Sequence, residues 1–117
     1  MAKQADAALA ELQVAVERAQ QLLEAVQKRT AVLQAARAQG KDYSEIATEE
    51  HRPLVVELLS DVLEELAAAG SKFRRAEARV LHAGGMSQEA IGALFGVTRQ
   101  RVAALLADPA APRTGRS

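Results

Sequence analysis

The chain has no cysteine and no tryptophan, and its only aromatic residues are Tyr43, Phe73 and Phe95. Without cysteine there is no disulfide framework and no thiolate metal site, so folding must rest on packing, helped where needed by oligomerisation. The apolar fraction, 49%, is mostly Ala, Leu and Val, a composition that favours helices over sheets. His51 and His82 are the only histidines. With no thiol, no Gly-rich phosphate loop after a strand and no carboxylate pair beside a partner base, no enzymatic activity, metal ion or cofactor is expected. Glu49-Glu50-His51 reads as a solvated helix end, because no second ligand set stands at helical spacing around it. No apolar run reaches membrane-spanning length, and Met1 to Asp6 lack the basic region and apolar core of a signal peptide. A soluble, cytoplasmic chain with no membrane partner is therefore expected.

At 117 residues the chain has the size of one folded unit with an appendage. Its net charge of zero conceals a division at Gly70. Residues 1–70 hold 7 Lys/Arg against 12 Asp/Glu, a balance of −5, whereas residues 71–117 hold 8 against 3, a balance of +5. A basic C-terminal part is the electrostatic footprint of a phosphate-binding surface, and an acidic N-terminal part would be held away from nucleic acid.

From Leu9 to Leu33 apolar positions recur at alternating spacings of three and four. Leu9, Val16, Leu23 and Thr30 take heptad position a, while Leu12, Ala19, Val26 and Leu33 take d. Gln13, Gln20, Gln27 and Gln34 then all fall at e. Such a stripe must be buried, either against a second copy or against the rest of its own chain. Uncharged e positions remove one source of repulsion between identical chains. A homodimer through Leu9, Leu12, Val16, Leu23, Val26 and Leu33 is thus the expected use of segment 3–39, with an intramolecular bundle as the alternative.

Gly40 suits the end of that helix, and Asp42-Tyr43-Ser44-Glu45 has the form of a capping box for a short helix before Pro53. Pro53 suits the first turn of a central helix. Leu54, Val55, Leu58, Leu59, Val62, Leu63 and Leu66 give that helix a broad apolar face, read as core, and Gly70 is expected to stop it. Its other face carries Glu57, Asp61, Glu64 and Glu65. Segment 42–70 is thus a short helix plus a packing helix. Ser71 is expected to cap a third helix to about Ala83, with Phe73, Ala76, Val80 and Leu81 inward and Lys72, Arg74, Arg75 and Arg79 outward. Gly84-Gly85 breaks it. Residues 108–117, rich in Pro and Gly and without large apolar side chains, are expected to be a disordered tail.

Between Met86 and Leu106 two short helical patterns flank a glycine. Ser87 and Thr98 are caps, Gly96 supplies a left-handed corner, and Val97 is expected to turn inward and plug it. Ile91 and Phe95 form the inner face of the first helix, Val102 and Leu105 that of the second. Gly92 sits where the two helices come close.

The run Ser87-Gln88-Glu89-Ala90-Ile91-Gly92-Ala93-Leu94-Phe95-Gly96-Val97-Thr98-Arg99-Gln100-Arg101-Val102 resembles the helix-turn-helix superfamily. The likeness is to the form found in the promoter-reading C-terminal region of bacterial sigma factors and in small actinobacterial-type regulators. It covers about a fifth of the chain, and Gly92 stands where that pattern usually has Ala. Nothing before Ser71 resembles a sigma factor's polymerase-binding regions. The resemblance implies an all-α fold in which 71–107 is a three-helix DNA-binding domain whose last helix enters the major groove. Thr98, Arg99, Gln100 and Arg101, then Ala103 and Ala104 one turn on, would face the bases, with Ser87 and Gln88 added from the preceding helix. Arg suits guanine, Gln suits adenine, and Ala admits a thymine methyl. Lys72, Arg74, Arg75 and Arg79 are candidate phosphate contacts, or else a solvated helix face.

The expectation is a bacterial transcriptional regulator or nucleoid-associated protein that binds double-stranded DNA as a homodimer. The alternative is an adaptor or antitoxin-like protein that uses the motif for packing and its acidic half to bind another protein.

Overall fold

The computed structural model describes residues 1–107. The expected disordered tail lies outside them. Among the described residues the protein is all-α, with helices α1 (Ala2–Ala38), α2 (Tyr43–Glu49), α3 (Val55–Ala83), α4 (Gln88–Phe95) and α5 (Arg99–Leu106). No helix among them is long and apolar enough to cross a membrane. The chain divides into two compact units, one of residues 10–70 and one of residues 1–9 with 71 onward.

Local chemistry sets most helix ends. After α1, Gly40 adopts φ 93°; its N–H bonds to Arg37 O and that of Lys41 to Ala36 O, the paired bonds of a Schellman cap. The expected capping box opens α2: Asp42 Oδ1 accepts from the Glu45 amide at 2.9 Å while Glu45 Oε1 accepts from the Asp42 amide at 3.4 Å. The Arg52–Pro53 bond is cis, and α3 begins two residues beyond Pro53 rather than with Pro53 in its first turn. Its first amides are satisfied by carboxylates: Leu54 N–H donates to Glu57 and Val55 N–H to Glu50, each at 2.7 Å.

Two expectations fail at Gly70. It does not end the helix, and Ser71 does not cap a new one: α3 is a single helix of 29 residues. Glycine inside a helix costs about 1 kcal/mol relative to Ala. Here the helix formers Ala67, Ala68 and Ala69 precede it, and Leu66 and Phe73 on its two sides are half-buried, so helix continues through.

Within residues 10–70, α1 and α3 run antiparallel. Arg18 pairs with Glu65 at 3.3 Å, and eleven residues later Arg29 meets the start of α3, bonding Pro53 O. Ala19, Ile46, Val55 and Val62 are buried here, with Leu12, Leu22, Val26, Leu33, Leu58 and Leu66 half-buried around them. The α1 heptad is therefore used within the chain, but along d and the neighbouring g positions. Position a stays open: Leu9, Val16 and Leu23 are 49%, 42% and 42% exposed. Of the α3 face expected to pack within the domain or a dimer, Leu59 and Leu63 stay 38% and 60% exposed in the single chain.

In the other unit, Ala78 of α3, Ile91 of α4 and Val102 and Leu105 of α5 form the buried centre, with Leu81, Met86, Phe95 and Leu106 packed on it. Ile91 and Val102 have no exposed surface. Truncating such a residue as Ile91 to Ala costs about 2–5 kcal/mol. A second Schellman cap closes α3: Gly85 at φ 104° bonds His82 O and Met86 bonds Leu81 O, while Leu81 and Met86 both pack on the core.

Candidate nucleic-acid interface

The α4-turn-α5 pair is built by caps at each of its ends. Ser87 Oγ accepts from the Ala90 amide at 3.1 Å and Thr98 Oγ1 from the Arg101 amide at 3.0 Å. Between them Gly96 closes α4 in the left-handed region, φ 71° and ψ 32°, where a Cβ would be strained. The Val97 amide then bonds Gly92 O at 2.9 Å.

The corner is closed by backbone, not by a side chain. A Cβ on Gly92 would lie 2.8 Å from Val97 O, so the turn rests directly on the α4 main chain. The Val97 side chain is 39% exposed and does not plug the corner as expected.

Helical geometry sorts the residues of α5, which follow one another at about 100°. Val102 and Leu105 point into the core. Gln100 lies opposite them, flanked one turn on by Ala103 and Ala104, and Arg99 and Arg101 lie to its two sides. All five are exposed, as is Thr98, although its hydroxyl is occupied by the cap. All six expected positions are thus exposed, with Gln100, Ala103 and Ala104 on the outward face of α5, Arg99 and Arg101 at its two edges and Thr98 at its N-cap. Ser87 is exposed and Gln88 half-buried at the start of α4.

The basic residues of α3 divide differently. The Arg74 guanidinium stacks over the Phe95 ring, 4.0 Å from its centroid, and lies 3.9 Å from Glu77. Arg79 donates through Nη2 to Ala107 O at 2.8 Å, satisfying a carbonyl at the C-terminal end of α5. Both therefore do packing work that joins α3 to α4 and α5, which no sequence spacing signalled. Lys72 is exposed and Arg75 half-buried. Residues 71–107 carry six Lys/Arg against two Asp/Glu, so the unit bearing α5 is basic.

Comparison of the chain with protein-family models, curated proteins and solved structures finds no match. The reading of this surface rests on its own chemistry.

Glu49-Glu50-His51 offers no competing centre. No group of three His, Cys, Asp or Glu among the described residues is placed to hold a metal ion. Glu50 is not the solvated helix end expected of it: its side chain is 16% exposed, caps Val55 N–H and faces Arg29 at 3.9 Å. Arg29, in turn, forks onto His51 O at 2.7 Å and Pro53 O at 2.8 Å. This arginine was missed as a structural residue because its heptad position alone reads as a solvated flank.

Proposed function

We propose that this protein binds double-stranded DNA by laying α5 in the major groove, acting as a transcriptional regulator or nucleoid-associated protein. The outward surface of α5 carries the reading. Gln100 at its centre has the donor and acceptor of an adenine reader, and Arg99 and Arg101 on its flanks suit guanine edges or phosphates. Ala103 and Ala104 extend too little to hold the helix away from base edges. The resemblance of Ser87 to Val102 to helix-turn-helix proteins supports the same placement, as does the excess of basic residues over 71–107.

A titration of labelled duplex DNA at low salt tests it. Binding that falls steeply as salt rises, and that weakens strongly in the Arg99→Ala/Arg101→Ala variant, is the expected result. No affinity at low salt for either protein would sink the proposal.

A further inference from the structure

Five of the eight large apolar side chains exposed in residues 10–70 share one edge, while Val14, Val32 and Tyr43 lie elsewhere. The Arg18–Glu65 pair marks one edge of the antiparallel α1–α3 hairpin. Advancing about 100° per residue from the buried stripes places Val16 and Leu23 of α1 on the opposite edge, and Val56, Leu59 and Leu63 of α3 on that same edge. These five are between 38% and 72% exposed. A contiguous patch of about 300–600 Å² is the largest that a typical monomer shows, and five large side chains exposed to this degree reach that scale.

We propose that this edge receives a second copy of the chain, two α1–α3 hairpins closing a four-helix bundle. Charge selects the occupant. Residues 10–70 carry 6 Lys/Arg against 11 Asp/Glu, so most faces of this unit repel their own copy. The apolar edge is the exception. Along most of its length its rim is uncharged, with Gln13, Gln20 and Gln27 on α1 and Ser60 and Ala67 on α3 all exposed, and beside Val56 the opposite charges of Arg52 and Glu57 pair at 3.5 Å. In a two-fold contact each patch meets its like, so on so acidic a unit a patch without excess negative charge is the one that can meet its own copy without repulsion. Two-helix layers stacked through such a face are the ordinary construction of a four-helix bundle. This differs from a two-stranded coiled coil, because position d of α1 is already used within the chain and α3 supplies half of the interface.

Sedimentation equilibrium of the full chain without DNA, over a range of micromolar concentrations, tests the assembly independently of DNA binding. The wild type is expected at twice its 12.5 kDa chain mass, with no larger species. Leu63→Glu and Leu23→Glu are each expected to give the monomer mass with an unchanged helical circular dichroism signal, since both side chains are already exposed within the single chain. Val14→Glu, at a 62% exposed valine turned toward the Arg18 edge, is expected to leave the dimer intact. A wild type that stays monomeric throughout, or whose mass climbs without a plateau, overturns the proposal. So does a dimer that Leu23→Glu dissolves and Leu63→Glu does not, because that result assigns the contact to α1 alone.

Discussion

A β-carbon placed on Gly92 would lie 2.8 Å from the carbonyl oxygen of Val97. That oxygen is main chain and cannot swing away, so the distance forces the two helices apart or the turn out of shape. Gly92→Ala gains about 1 kcal/mol of helix propensity and is set against an overpacking cost of about 1–3 kcal/mol. Net destabilisation is expected. Gly70→Ala has the opposite sign: nothing lies within 4 Å of its β-carbon, so the substitution is expected to stabilise by about 0.5–1 kcal/mol. Chemical denaturation of the two variants beside the wild type reads both, and equal shifts in one direction refute the steric account.

What was legible in the sequence divides along the same line. The caps at Asp42, Ser87 and Thr98, the helix ends at Gly40 and at Gly84-Gly85 and the left-handed Gly96 were legible because each depends on near neighbours in sequence. So were the inward faces of α4 and α5. Gly70 was misread because its local preference is outweighed by the alanines before it and the half-buried side chains of Leu66 and Phe73 on either side. The Arg29 fork, the Arg74–Phe95 stack and the Arg79 bond to Ala107 join residues 21 to 28 positions apart, and no periodicity marks such pairs. Val97 was misplaced because its main-chain carbonyl, and not its side chain, is what meets Gly92 at the corner.

The α5 surface predicts that affinity and specificity separate. Each arginine that neutralises a phosphate adds about 0.9 to the slope of log affinity against log salt. Losing both Arg99 and Arg101 as phosphate contacts therefore lowers that slope by about 2. Gln100→Ala should leave the slope unchanged and cost about 1–3 kcal/mol on a preferred sequence only. Salt-dependent titrations on preferred and scrambled duplexes distinguish these outcomes. An unchanged slope in the double arginine variant assigns those side chains to bases or to no contact at all.

Arg74 and Arg79 are expected to behave as stabilising residues. Removing Arg79 orphans the Ala107 carbonyl and costs about 1 kcal/mol, while removing Arg74 forfeits a cation–π contact of about 0.5–1 kcal/mol. Both alanine variants should melt at lower temperature and bind DNA, once folded, with the wild-type salt slope. A stable variant with a reduced slope would reassign that arginine to phosphate.

Arg29 offers the sharpest contrast between charge and geometry. Its guanidinium donates to His51 O and Pro53 O at once and faces Glu50, the carboxylate that caps the start of α3. Hydrogen bonds from a charged donor contribute about 1.5–3 kcal/mol, and truncation to Ala leaves two connector carbonyls and Glu50 without their common partner. Lysine keeps the charge but presents a single ammonium in place of the planar fork, so it does not reproduce the two bonds that Nη1 and Nη2 make to separate carbonyls. Arg29→Lys is therefore expected to lose much of what Arg29→Ala loses, which no account based on net charge predicts. Hydrogen exchange at the Ile46 and Glu50 amides, the bonds that close α2 onto Asp42 O and Ile46 O, reports it. Both variants should lower their protection by tenfold or more, and full protection in Arg29→Lys would reduce the role of Arg29 to its charge beside Glu50.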